Sequence, residues 1–187
     1  MRTSVVHATF PTMIATLQRD FLMVRTFVRG TFLSAVLVLA GPALAQDAPL
    51  LSVDGPGGSR SYDLPALQAL GEAEIRTSTV WTEGVHSFTG VPLASILEDS
   101  GIATGAGSAG EVTATAINDY AISIPLAEIG PEVPLVAYLI DDSEMSVRDK
   151  GPLWIVYPYD ADRQYQTEVI YSRSIWQLNR ISTAPVP

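Results

Sequence analysis

Gly151-Pro-Leu-Trp-Ile-Val-Tyr-Pro158 is the segment of the sequence that says most about the fold. Its apolar and aromatic centre, 153–157, is flanked by prolines, a pattern typical of a short buried strand. Upstream, the apolar run 135–140 predicts another strand, closed by the turn Asp141-Asp142-Ser143. Downstream, 175–181 predicts the last strand, so Trp154 and Trp176 are both predicted to be core strand residues.

Short strands dominate the rest of the chain, and the predicted helices are few and small. Two helices are predicted, 64–70 with Asp63 as its N-cap and 91–101 with an apolar face. Segment 81–90 is predicted as a loop or hairpin, Asn118-Asp119 as a hairpin turn, and a loop rich in Tyr, Arg and Asp precedes the last strand. The predicted strands are 50–53, 59–62, 75–80, 111–117, 120–124, 135–140, 153–157 and 175–181. Because strand–helix alternation is too sparse for a doubly wound sheet, the predicted class is α+β with a mixed, curled β-sheet.

Composition excludes several classes of protein. The chain has 187 residues, of which 47% are hydrophobic, enough for the core of one domain. It has 11 Lys and Arg against 20 Asp and Glu, a net charge of −9, and no basic run, which argues against nucleic-acid binding. The absence of cysteine excludes disulfides, thiolate metal sites and cysteine nucleophiles.

The N-terminal 45 residues have the pattern of a signal peptide. Arg25 and Arg29 precede an apolar run, 31–40, and the segment ends in Ala43-Leu-Ala45. This predicts cleavage after Ala45, with Met23 as an alternative start, and a single mature domain over 46–187. The apolar run is too short to span a bilayer, and no Arg-Arg pair indicates the twin-arginine route. We therefore expect Sec-type export to the periplasm or beyond, with no transmembrane segment in the mature chain.

Six segments in a fixed order resemble the oxidoreductase molybdopterin-binding domain family, which has the sulfite-oxidase-type fold. They are Thr77-Ser-Thr-Val-Trp-Thr-Glu-Gly84, Phe88-Thr-Gly-Val-Pro-Leu-Ala-Ser-Ile-Leu97, Val112-Thr-Ala-Thr-Ala-Ile-Asn-Asp-Tyr120, the segments 135–142 and 151–158, and Arg173-Ser-Ile-Trp-Gln-Leu-Asn-Arg-Ile181. The resemblance covers residues 50–182. It implies a sulfite-oxidase-type fold, molybdopterin as the family's cofactor and oxidoreductase chemistry.

The chain departs from that family at the metal ligand. In catalytic members a cysteine thiolate placed before the Gly-x-Pro-Leu turn binds molybdenum, whereas this chain has Thr77-Ser-Thr-Val-Trp81 there. A hydroxyl is a poor replacement because it is neither soft nor readily ionised. We therefore expect no molybdenum cofactor, and an exported accessory or sensory module that binds a small molecule or a periplasmic protein. The alternatives are a molybdopterin-dependent oxidoreductase with Ser78 or Thr79 near the metal, and a purely structural module. Whether the chain is an enzyme stays open.

Six residues on the motif loops are the candidate binding residues. The two aromatic side chains would stack on a planar ligand, the two arginines would hold anionic groups, and the asparagine and histidine would supply hydrogen bonds. The expected ligand is therefore small and anionic or planar. The candidates are Trp81, His86, Asn118, Tyr120, Arg148 and Arg173. The turn role of Asn118-Asp119 competes with a ligand role, and the acidic segment 141–144 is interpreted as a solvated turn rather than a metal site.

Overall fold

The computed structural model describes residues 49–183, so the predicted signal peptide lies outside the described residues. In that range ten strands are present: β1 (Leu51–Gly55), β2 (Gly58–Tyr62), β3 (Ala73–Ser78), β4 (Val85–Pro92), β5 (Glu111–Ala116), β6 (Ala121–Pro125), β7 (Leu135–Ile140), β8 (Ser143–Glu144), β9 (Trp154–Val156) and β10 (Leu178–Thr183). The helices are α1 (Leu64–Ala69), α2 (Leu93–Asp99) and α3 (Glu168–Arg173), with 3-10 turns at Leu126–Glu128, Val147–Asp149 and Arg163–Tyr165. None of the helices within 49–183 is long and apolar enough to cross a membrane.

The strands form two five-stranded sheets. The first has the order β2-β1-β10-β5-β6, in which β1 and β10 pair in parallel and the other neighbours pair antiparallel. The second has the order β3-β4-β7-β8, with β9 also paired to β7. The first sheet is mixed and the second is antiparallel. Two sheets with a few short helices confirm the predicted α+β class.

The second sheet requires a glycine at position 90, where β4 pairs closely with β7. A Cβ atom at Gly90 would lie 2.1 Å from the carbonyl oxygen of Val136, which is closer than any side chain tolerates. The register of the two strands shifts between Thr89 and Gly90, so the ladder bends there. Pairing with β3 over residues 85–90 and with β7 over residues 88–92 makes residues 85–92 a strand. Of the loop or hairpin predicted for 81–90, the structure has the hairpin, because β3 and β4 are antiparallel neighbours in sequence. For the same reason α2 starts at Leu93 rather than at residue 91.

Local capping explains the helices at both ends of the described chain. The Asp63 carboxylate accepts a hydrogen bond of 2.8 Å from the Ala66 N–H, which confirms the predicted N-cap of α1. The Thr167 hydroxyl accepts one of 3.3 Å from the Ile170 N–H, and this cap begins α3 within the segment predicted as a loop. The last strand starts at Leu178 rather than at 175, because Gln177 has a φ of 55° and interrupts the extended backbone.

Trp154 joins the core to the last part of the chain. Its ring is fully buried and meets the buried Phe88 ring edge-on at 5.4 Å. Its indole N–H donates a hydrogen bond of 3.1 Å to the Ser174 carbonyl, and an isolated backbone bridge pairs it with Trp176. The core prediction is confirmed for Trp154 and is wrong for Trp176, which is 37% exposed.

Candidate functional site

A cleft of about 430 Å³ opens where three distant parts of the chain meet. One wall comes from the loop between β3 and β4, another from the end of β5 and the hairpin turn after it, and the third from α3 and the residues that follow it. We call it the aromatic cleft. It is lined by Trp81, Ala116, Asn118, Tyr120, Tyr171, Ser172, Ser174, Ile175 and Trp176.

Trp81 is the central aromatic residue of this cleft. Its ring meets Trp154, Tyr171 and Trp176 edge-to-face, with centroids 5.9, 5.8 and 5.6 Å away. Its backbone N–H donates to the Thr79 hydroxyl at 3.1 Å, and that hydroxyl shares a hydrogen bond of 2.8 Å with the Thr82 hydroxyl. The loop and its aromatic neighbours together fix the orientation of the indole ring.

Backbone hydrogen bonds hold Trp176 on the opposite wall. The next residue, Gln177, donates its N–H to the Lys150 carbonyl at 3.0 Å and accepts from the Ile117 N–H at 2.9 Å. Its side-chain amide donates to the Val147 carbonyl at 2.7 Å. Trp176 is therefore positioned by its neighbours in sequence while much of its ring stays open to the cleft.

The hairpin turn between β5 and β6 supplies the polar rim. The Asn118 side-chain oxygen accepts a hydrogen bond of 3.2 Å from the Tyr120 N–H, so the predicted turn is confirmed. This leaves the Asn118 amide N–H groups without a partner among residues 49–183. Tyr120 is 54% exposed, although it is a large aromatic residue. Both side chains are free to contact a ligand.

A buried hydroxyl pair supports the wall formed by α3. The Tyr159 hydroxyl donates a hydrogen bond of 2.6 Å to the Ser174 hydroxyl, which in turn donates one of 2.8 Å to the Ile170 carbonyl. Burial raises the pKa of Tyr159 to about 12, so its hydroxyl keeps its proton and remains a donor at neutral pH. These bonds fix the end of α3 to the aromatic core.

The aromatic cleft contains no charged side chain among its lining residues. Arg173 points elsewhere and donates a hydrogen bond of 2.6 Å to the Glu128 carboxylate. Arg148 lies exposed on the 3-10 turn Val147–Asp149 and is not part of the lining. The structure therefore separates both predicted arginines from the aromatic residues.

His86 lies on β4, outside the cleft lining. Its Nδ1 atom is 2.7 Å from the Asp141 carboxylate and its Nε2 atom is 2.8 Å from the Glu83 carbonyl oxygen. The hydrogen bond to His86, followed by one from the Ser87 N–H, lowers the pKa of Asp141. Of the six candidates, the structure thus brings together Trp81, Asn118 and Tyr120 and places the histidine and both arginines elsewhere.

The sequence patterns did not predict the cleft residues that α3 and the segment after it contribute. These are Tyr171, Ser172, Ser174 and Trp176. A signal was available, since Thr167 followed by Glu168 is an N-cap followed by an acidic first-turn residue. The helix was obscured because it has only six residues and includes the β-branched Val169 and Ile170.

The residues that the sequence resemblance matches to the family's thiolate position do not fit a molybdenum ion. The Ser78 hydroxyl donates to the Asp160 carboxylate at 2.7 Å, and the Thr77 hydroxyl accepts from the Asp160 N–H at 3.1 Å. The Thr79 hydroxyl is engaged within its own loop, as described above. All three are neutral hydroxyls that already have partners, whereas the resemblance implies a soft anionic sulfur as the molybdenum ligand. Within 49–183, no three His, Asp or Glu side chains are grouped so that they could hold a metal ion.

Comparisons with known proteins indicate the fold. No family model matches the chain, and a search of curated proteins finds no match. Among solved structures, the chain is similar to the sulfane dehydrogenase SoxCD from Paracoccus pantotrophus, with a TM-score of 0.54 and 13% sequence identity. The match covers 73% of this chain and 38% of that one, so the chain spans well under half of the enzyme's length. This likeness shows a shared fold and supports the sulfite-oxidase-type fold that the sequence motifs predict.

Proposed function

We propose that this chain is an exported ligand-binding module that holds a small, planar, uncharged molecule in the aromatic cleft and contains no molybdenum. The predicted signal peptide supports a periplasmic place of action, as an accessory or sensory protein. The observation that carries the proposal is the make-up of the cleft, which combines aromatic rings and neutral hydrogen-bonding groups without any charge.

The aromatic residues favour a planar ligand. Trp176 and Tyr120 are 37% and 54% exposed, and a flat ring that covers them would remove apolar surface from water. Each aromatic contact adds roughly 0.5–1.5 kcal/mol beyond the buried area. The volume of about 430 Å³ lies within the usual range for small-molecule sites.

The polar groups favour an uncharged ligand over an anionic one. At the rim the Asn118 amide can donate hydrogen bonds, and the Ser172 hydroxyl, which donates its own proton to the Val169 carbonyl at 2.7 Å, can accept one. No lining residue could neutralise a carboxylate or a phosphate. An anion that left water for this cleft would lose hydration without gaining a counter-charge. Of the two ligand types expected from the sequence, the cleft therefore supports the planar one.

A binding experiment with matched ligands tests this proposal. Intrinsic tryptophan fluorescence would follow titrations with uncharged pteridines, purines and flavins, pterin being the ring system that the family resemblance implies. Pterin-6-carboxylate is the charged partner of pterin, and we expect it to bind at least about tenfold more weakly. No binding by any uncharged planar compound, or tighter binding by the carboxylate, would refute the proposal.

Two variants test whether the fluorescence change reports binding in the aromatic cleft. Trp176→Ala and Asn118→Ala should each weaken binding about tenfold, because they remove a stacking surface and a hydrogen-bond donor. Ile117→Ala is the matched control, since Ile117 is 46% exposed next to Asn118 but does not line the cleft. Equal losses in all three variants would place the ligand elsewhere.

Metal analysis distinguishes the second candidate, a molybdopterin-dependent oxidoreductase, for which the fold likeness to a sulfane dehydrogenase is the support. The protein would be purified from its native host and assayed for molybdenum by mass spectrometry. We expect none, because no thiolate is present to bind it. A stoichiometric molybdenum content would replace our proposal with the oxidoreductase.

A further inference from the structure

A second cavity of about 340 Å³ lies on the other side of α3. We call it the second cavity. Unlike the aromatic cleft, it is lined by both a positively and a negatively charged side chain. Its walls come from α3, the 3-10 turn Leu126–Glu128 with the residues after it, and the chain after β9. The lining residues that matter here are Glu128, Val133, Tyr157, Gln164, Ile170 and Arg173.

Arg173 has hydrogen-bonding capacity that its ion pair leaves unused. Its side chain is only 12% exposed, and one guanidinium nitrogen donates to Glu128 at 2.6 Å. The other guanidinium N–H groups have no partner among residues 49–183. No completely buried side-chain nitrogen or oxygen in that range lacks a partner, so these donors remain accessible from the cavity that Arg173 lines.

Tyr157 presents a second donor of the same kind. The residue is 4% exposed, and none of the residues 49–183 hydrogen-bonds to its hydroxyl. Burial raises the pKa of Tyr157 above its ordinary value, so the hydroxyl keeps its proton at neutral pH. Because no completely buried side-chain oxygen in that range lacks a partner, the Tyr157 hydroxyl is accessible, and it can donate to an acceptor in the cavity that Tyr157 lines.

The ion pair selects the charge type of the ligand. A simple anion would meet the Arg173 and Tyr157 donors but would also be repelled by the Glu128 carboxylate beside them. A simple cation would be attracted by Glu128 but repelled by the Arg173 guanidinium. Glu128 uses one carboxylate oxygen for Arg173 and keeps acceptor capacity on the other. A ligand with both charges satisfies every group without breaking the pair.

We propose that the second cavity binds a small zwitterion of the α-amino-acid type. The ligand carboxylate accepts hydrogen bonds from Arg173 and Tyr157, and the ligand ammonium group donates to Glu128. Val133 and Ile170 form the apolar surface against which a small aliphatic side chain packs. This site does not depend on the ligand of the aromatic cleft, because the two cavities share only the helix between them.

Isothermal titration calorimetry with alanine, leucine, acetate and methylammonium tests the proposal on the purified protein. Acetate and methylammonium each carry one of the two charges of the amino acids. We expect the amino acids to bind at least about tenfold more tightly than either of them. Absence of amino-acid binding up to about 10 mM, or equal binding of acetate, would overturn the proposal.

Glu128→Gln provides the sharpest variant, since this side chain is 56% exposed and its loss should not disturb folding. Removing the carboxylate should weaken alanine binding about tenfold and tighten acetate binding, so the preference between the two narrows or reverses. Tyr157→Phe should weaken both ligands about tenfold, because it removes a donor that both carboxylates use. If Glu128→Gln changed alanine and acetate affinities in the same direction, the assignment of the ammonium group to Glu128 would be wrong.

Arg163→Gln is the matched control for Arg173→Gln. Both substitutions remove one positive charge, but Arg163 is exposed and does not line the second cavity. Arg173→Gln should abolish binding of alanine and of acetate, while Arg163→Gln should leave both unchanged. Should Arg173→Gln fail to fold, the opposite responses of Glu128→Gln to the two ligands still decide the matter.

Discussion

The two cavities beside α3 differ in chemistry although one six-residue helix forms a wall of both. Tyr171 and Ser172 face the aromatic cleft, whereas Ile170 and Arg173 face the second cavity. Residues three apart on a helix share a side, which is why Ile170 and Arg173 lie together. The cleft is aromatic and uncharged, and the second cavity contains an ion pair and a buried phenol.

This difference shows that neighbours in sequence can belong to opposite sites. Ser172 and Arg173 are adjacent, yet the helical turn directs them to different cavities. Arginines and aromatic residues were predicted to share one site because they are interleaved along the chain. The structure separates them, and the charge requirement of each cavity follows from that separation.

The largest expected effect is the loss of stability caused by a substitution in the aromatic cleft. Trp81→Ala should destabilise the protein by about 3 kcal/mol, because it removes a ring packed against several aromatic residues. Denaturant unfolding would measure this loss, and amino-acid binding to the second cavity should persist under native conditions. Val80→Ala, in the same loop and 63% exposed, should cost less than about 0.5 kcal/mol. A loss for Trp81→Ala as small as that control would mean that the ring is not a structural part of the cleft.

A smaller loss of stability, with weaker binding in both cavities, is expected when the end of α3 is released. Ser174→Ala should cost about 1–3 kcal/mol, since it leaves the buried Tyr159 hydroxyl without its partner and releases the end of α3. Affinity for both ligands should fall together because the helix forms both walls.

The double variant Ser174→Ala with Tyr159→Phe checks the cause of that loss. Removing both partners of a buried hydrogen bond costs less than removing one, so the double variant should recover part of the stability in the same unfolding experiment. A purely additive result would show that the hydroxyl pair is not the source of the effect.

Local patterns predicted the elements, and long-range assembly determined the site. The strand at 153–157, the Asp63 cap and the Asn118-Asp119 turn depend on nearby residues, and the structure has all three. The cleft depends on contacts between residues as distant as Trp81 and Trp176, which no local periodicity reveals. Trp81, Asn118 and Tyr120 were identified because they lie on motif loops.

Two of the three misplaced candidates share a physical origin. Arg173 and His86 were chosen for their chemistry, but each is held by an acidic side chain from another segment, Glu128 and Asp141. Such pairs form only when the chain has folded, and the sequence does not show which of its many carboxylates will be the partner. The position of an ionisable residue on a motif loop was therefore insufficient to assign it to the site.

A third prediction separates the two faces of α3 directly. Tyr171→Ala should weaken the cleft ligand about tenfold, because the ring lines the cleft next to Trp81. It should leave alanine binding in the second cavity within about twofold, since only the other face of the helix lines it. Titration calorimetry with both ligands measures the two effects, and Val169→Ala, exposed on the same helix, is the control. Loss of both affinities in Tyr171→Ala would show that the helix responds as one unit and that the two sites are not independent.

The smallest effect concerns the pH dependence of the loop that carries Trp81. His86 contacts the Asp141 carboxylate and the Glu83 carbonyl, and Glu83 belongs to that loop. The pKa of Asp141 is lowered from its ordinary value of 3.8, first by the hydrogen bond to His86 and then by the one from Ser87. Folded Asp141 therefore binds a proton less readily than unfolded Asp141. Its contribution to stability is complete above the ordinary pKa and disappears as the pH falls through the lowered one.

Thermal unfolding of the protein and of Asp141→Asn, followed from about pH 7 to about pH 2, measures that contribution. The melting temperatures should differ at neutral pH and converge in acid, where the carboxyl group of Asp141 is protonated. Asp142→Asn is the matched control, because this exposed neighbour forms no hydrogen bond to His86 in the described chain and should show no such convergence. The effect should be small, because Asp141 is exposed to solvent. The hydrogen bond between the His86 ring and the Glu83 carbonyl oxygen links the His86–Asp141 pair to the Trp81 loop. Parallel pH profiles for the two variants would therefore show that this pair does not stabilise the loop.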